Sequence, residues 1–103
     1  MAKKKGLGQQ LLDTMEDVIE LMERTTDPIR LKELDALRKK ISNEAGRLID
    51  AQLDASTAEY KEATAGLKQA SAAIRDAIRG LEAVKKAIEV AAQALDLVAE
   101  LAA

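Results

Sequence analysis

From Tyr60 onward one register governs the chain: Tyr60, Leu67, Ile74, Leu81, Ile88, Leu95 and Ala102 fall seven residues apart. Three residues after each of the first six stand Ala63, Ala70, Ala77, Val84, Ala91 and Val98. A seven-residue apolar repeat puts both sets on one seam of helix that packs against other helices. Immediately before the large residues come Gly66, Ala73, Gly80, Ala87 and Ala94, a row of small residues that lets a neighbouring backbone approach. The period runs unbroken across Gly80, which places that glycine inside a helix at a cost of about 1 kcal/mol relative to alanine. The expected packing seam therefore contains Gly66, Leu67, Ala73, Ile74, Gly80, Leu81, Ala87, Ile88 and Leu95.

The core behind such a seam is thin. Tyr60 is the only aromatic residue, while 48% of the 103 residues are apolar, so contacts are aliphatic and alanine-rich. At this length there is room for one helical domain, residues 1–103, with one modest core.

The N-terminal half follows a different pattern. Beyond a basic tail at residues 1–6, Leu11, Leu12, Met15, Val18, Ile19 and Met22 recur at spacings of three and four and predict a helix over about 7–25. Asp27 and Pro28 then supply an N-cap and a first helical residue whose missing N–H costs nothing there. The second helix carries Leu31, Leu34, Leu37, Ile41, Ala45, Leu48 and Ile49 inward. Residues 6–29 hold six acids against Arg24, whereas residues 30–50 hold six bases against four acids. Opposite charge across a short turn favours antiparallel packing of the two, slightly.

The chain must then reverse near Ser56, near Gly66, or nowhere before its end. Ser56 with Glu59 matches a capping box, and Gly66 matches a helix C-cap. Helix 2 accordingly spans about 28–55 or 28–64, and helix 3 about 57–103 or 67–103. Beyond residue 84 the apolar stripe widens as Val90 and Leu97 join one flank and Ala92 and Ala99 the other. A wider stripe needs two neighbours, and the first two helices are the expected ones. The fold expected is all-α: a short N-terminal helix packed on a long antiparallel helical hairpin, a three-helix bundle at one end, with oligomerisation left open.

Chemistry-bearing motifs are few. With neither cysteine nor histidine, the chain lacks thiolate chemistry, the usual neutral-pH base and the commonest metal ligand. Ser42, Ser56 and Ser71 therefore have no histidine to activate them, and "GLGQ" at residues 6–9 lacks the third glycine and preceding strand of a phosphate loop. No enzymatic activity, cofactor or metal is expected. Asp13, Asp17 and Glu20 share one side of the first helix and form a candidate docking surface for a basic partner. Tyr60 is either a core residue or an exposed anchor for that partner.

The net charge of −2, and the absence of rings to stack on bases, argue against nucleic acid. Lys3, Lys4 and Lys5 are followed by glutamines and early acids in place of a continuous apolar region, so no secretory signal is read and the cytoplasm is expected. Glu89, Asp96 and Glu100 argue against stable membrane insertion of the C-terminal segment. These exclusions leave a non-catalytic protein–protein interaction protein of the adaptor, chaperone or toxin-neutralising immunity type. The alternative is a self-assembling structural subunit, a homo-oligomer pairing through the alanine/glycine seam; a membrane-active hairpin is a third and weaker reading.

Overall fold

The computed structural model describes residues 6–50, 57–80 and 83–102, with the side chains of residues 49, 50 and 102 left aside. Within them the chain is all-helical: α1 spans Leu7–Arg24, α2 Pro28–Asp50, α3 Ala58–Ile78 and α4 Val84–Ala102. Among the described residues there is no strand, and no helix is long and apolar enough to cross a membrane. Residues 1–5 of the basic tail expected over 1–6 and the candidate Ser56 cap lie outside the described residues, while Gly6 is the N-cap of α1.

The first boundary follows from capping chemistry. The Asp27 carboxylate accepts the Ile29 amide at 2.9 Å, and α2 begins at Pro28. α3 begins at Ala58, where the Thr57 hydroxyl accepts the Tyr60 amide at 3.3 Å. The cap is thus Thr57, the neighbour of the expected Ser56. Gly66, a proposed stopping point, lies well inside α3.

The long third helix is not formed, and Gly80 is the reason. Gly80 has a φ of +77°, in the left-handed region, and its amide bonds back to the Ala77 carbonyl at 3.1 Å, ending α3. Glycine adopts this geometry without a Cβ clash, so it closes helices more readily than it continues them. Gly80 is accordingly a helix terminator on the surface and not a member of the packed row. A Cβ built there would meet nothing within 4 Å, so crowding plays no part.

For Gly80→Ala this reverses the seam reading, in which alanine would be neutral or mildly stabilising; for Gly80→Leu it changes the cause of the loss from crowding to backbone strain. Both Gly80→Ala and Gly80→Leu are expected to destabilise by similar amounts, about 1–2 kcal/mol, because the strain lies in the backbone conformation. Gly80→Asn should cost less, since asparagine tolerates that region. Thermal melts of the three variants check this; a neutral Gly80→Ala would place residue 80 in ordinary helical geometry.

The helices pack as two hairpins laid side by side. α1 adjoins α2 and α3, and α4 adjoins α3 and α2, whereas α1–α4 and α2–α3 stand at diagonal corners, their backbones not neighbours among the described residues. The short axis of the molecule, 21 Å, is about two helix diameters. Leu11, Val18, Leu34, Ile41, Leu67, Ile74, Leu95 and Val98 are fully buried at the centre. Between them Ala63, Ala70, Ala87, Ala91 and Ala94 are also buried, which lets the helices close on one another. The widened stripe of α4 does meet two neighbours, but they are α2 and α3; α1 does not reach it.

Candidate functional site

Two surfaces flank α1, one polar and one apolar, and they divide its side chains between them. The polar one faces α3. Thr14, almost fully buried, donates to the Gln10 carbonyl at 2.8 Å and meets the Ser71 hydroxyl at 3.0 Å. With its proton committed to Gln10, the Thr14 oxygen accepts from Ser71. One turn further on, the Asp17 carboxylate lies 3.3 Å from the Arg75 guanidinium. Gln10, Asp13, Lys68 and Arg75 line the groove above these pairs, about 240 Å3 in volume.

The acidic candidates are therefore not presented together. Asp17 is 14% exposed and held by Arg75; Asp13 is half-buried in the groove and accepts the Gln9 side-chain amide at 3.0 Å. Glu20 alone is exposed, 3.9 Å from Arg24. Among the described residues no group of three or more such ligands could hold a metal ion.

Tyr60 is half-buried against the core, and its hydroxyl accepts the Leu7 amide at 3.0 Å. The Leu7 amide is one of the donors left without an intrahelical partner at the start of α1, where Gly6 is the N-cap, and a tyrosine from the start of α3 pairs it. Its polar tip is engaged within the chain, which gives Tyr60 a capping role as well as a packing one.

Burial pushes the Asp17 carboxyl above its ordinary value of 3.8, outweighing the opposing pull of Arg75. The folded protein therefore binds a proton here more firmly than the unfolded chain. From the raised value down toward 3.8, the contribution of Asp17 to stability rises as pH falls. Asp17→Asn removes this dependence. At pH 7 the variant is expected to be as stable as the parent or more so, and its advantage should shrink as pH drops through that window. Urea unfolding at pH 7 and pH 4 reads the difference; a variant clearly weaker at pH 7 would mean that the Arg75 pair outweighs burial.

The seam residues sit as follows. Gly66 lies against α4, where an added Cβ would come 3.3 Å from the end of Leu97 and 3.6 Å from the Ala94 backbone. Ala87, Leu67, Ile74 and Leu95 are buried, Ala73 and Ile88 are half-buried, and Leu81 lies outside the described residues. The small-residue seam is thus covered by the chain's own α3–α4 contact at Gly66.

The apolar surface is on the opposite flank of α1, beside α2. Leu12 is 43% exposed and Ile19 39%, seven residues apart on one helical line, with the half-buried Met15 and Met22 next to them. Ile19, Met22 and Glu23 of α1 and Leu31 and Arg38 of α2 line an open groove there of about 450 Å3. The inward positions of α1 are filled by Leu7, Leu11, Thr14, Val18 and Leu21. Of the remaining apolar residues of its stripe, Met15 and Met22 pack against the edge of the core and Leu12 and Ile19 stay exposed. A signal for this was present: the stripe also includes Leu7 and Leu21, and is wider than two neighbouring helices can cover.

The chain matches no protein-family model, no curated protein and no solved structure, so what it does is to be read from this geometry.

Proposed function

We propose that this chain is a non-catalytic protein–protein interaction protein, of the adaptor, chaperone or toxin-neutralising immunity type, that binds through a helical face. One observation carries the reading: Leu12 and Ile19 stand in water on one line of α1, beside a groove floored by Met22 and Leu31. Isolated exposed leucines are ordinary, but an aligned apolar strip next to an apolar groove is what an interface looks like before its partner arrives. The acidic and tyrosine candidates contribute less, since Asp13, Asp17 and Tyr60 are engaged within the fold.

Self-assembly, with an oligomeric state to match, is the second reading, favoured by the opposite charges on the two edges of this same face. The alanine/glycine row is no longer the surface that would do it, because α3 and α4 cover it mutually at Gly66.

Site-specific photocrosslinking tests the interaction reading. A photoreactive side chain at position 12 or 19, in cells that make the protein, should give a discrete protein adduct. The same probe at the exposed Gln93 of α4 should not. Adducts equal at all three positions, or none, would end the proposal.

A further inference from the structure

The α1–α2 face has a charge layout that selects its own occupant. On the α1 edge of the apolar strip stand Glu16, Glu20 and Glu23, all exposed. The α2 edge carries Lys32, Arg38 and Lys39 around the single acid Asp35, which pairs with Arg38 at 2.8 Å and Lys39 at 3.3 Å. The face is therefore acidic along one side, apolar in the middle and net basic along the other.

We propose that a second copy of this chain covers it, the two α1–α2 hairpins packing face to face about a two-fold axis that runs along the helices. The inference rests on the reading of this face as an interaction surface and names what binds there. Rotation about such an axis lays α1 of one copy over α2 of the other. Each glutamate edge then meets a lysine–arginine edge, twice, as an isologous contact requires. A two-fold perpendicular to the helices would set α1 on α1 and bring glutamates of both copies together, so charge repulsion excludes it. A foreign partner would need the reverse pair of charged edges flanking an apolar strip; a second copy has them by symmetry.

The dimensions set the strength. α1 has 18 residues, about 27 Å of helix, and two packed helices are about 20 Å across. The footprint is roughly 500 Å2 per copy and about 1,000 Å2 in total, at the small end of specific interfaces. A reversible dimer with a dissociation constant in the micromolar range is expected, weaker at high salt because its rim pairs are screened.

Sedimentation equilibrium of the full chain from about 1 to 500 µM, at about 50 mM and 500 mM salt, tests this. The expected result is a monomer–dimer equilibrium that weakens several-fold at the higher salt. Ile19→Lys, and independently Leu12→Lys, should remain monomeric throughout while keeping parental helicity by circular dichroism, since both positions are exposed in the fold. The chain has no cysteine, so single replacements report the axis directly. A mixture of Glu16→Cys and Lys39→Cys proteins should oxidise to the mixed disulfide in preference to either homodimer. Monomer at every concentration, a dimer indifferent to Ile19→Lys, or preferential Glu16→Cys homodimers would overturn the proposal. If the parent is monomeric while a probe at position 19 still captures a different protein, self-pairing falls and the interaction reading stands; if neither occurs, both fall.

Discussion

Deleting residues 88–103 is expected to abolish the cooperative fold. The deletion removes Ala91, Ala94, Leu95 and Val98 from the core together with the half-buried Ile88, Val90, Leu97 and Leu101. Full burial of a leucine or valine side chain is worth about 1.5–3 kcal/mol, so Leu95 and Val98 alone account for roughly 3–6 kcal/mol. The loss does not stop there, because α4 adjoins both α2 and α3, and without it one side of the cluster holding Leu34, Ile41, Leu67 and Ile74 opens to water. The combined loss is comparable with the whole stability of about 5–15 kcal/mol that a small domain commands. Circular dichroism should show helicity lost far beyond the share of residues removed, with no sigmoidal melt. A truncated chain that kept its per-residue helicity and melted cooperatively would mean that this segment is a subunit interface and not part of the core.

The second large effect separates two residues that the heptad treats as equals. Ile74→Ala should cost about 2–5 kcal/mol, the usual range for emptying a fully buried isoleucine site. Ile88→Ala should cost less than half as much, because Ile88 is only partly covered on the flank of α4, whereas Ile74 is fully enclosed. At roughly 4–8 °C per kcal/mol for a chain of this size, the first variant should melt at least about 8 °C below the parent. Equal losses would show that α4 is rotated so as to bring Ile88 to the centre.

Both substitutions probe what periodicity can and cannot say. A seven-residue repeat identifies which side chains face a core, but it does not report the direction in which the chain travels. The seven-residue spacing carries from Ile74 in α3 to Ile88 in α4 without a change of phase, so the seam reads as one long helix although it belongs to two. Gly80 was consistent with either reading, at about 1 kcal/mol inside a helix or as a helix end. Its φ of +77° decides between them. The Asp27–Pro28 boundary was legible in advance because capping is local: a carboxylate two residues from an orphan amide needs no tertiary partner to act.

The candidate surface was legible only in part. Counting acids on α1 pointed to Asp13, Asp17 and Glu20, yet the helix is rotated so that Asp17 meets Arg75 and Asp13 enters the groove against α3. Its apolar stripe was plain from the spacing of Leu11, Leu12, Met15, Val18, Ile19 and Met22. Which half of that stripe would be buried was not.

Local chemistry in the sequence by itself determined the helical class, the acidic and basic characters of α1 and α2, the aliphatic and alanine-rich core, and the Asp27 cap. Each of these depends on residues within a few positions of one another. The number of helices, the pairing of α1 with α3 and α2 with α4, the use of Tyr60 to cap α1 and the exposure of Leu12 and Ile19 were decided only by the tertiary structure. The physical reason is competition for a finite interior. A helix with more apolar surface than its neighbours can cover must leave some of it in water, and only the packing of all four helices settles which residues those are.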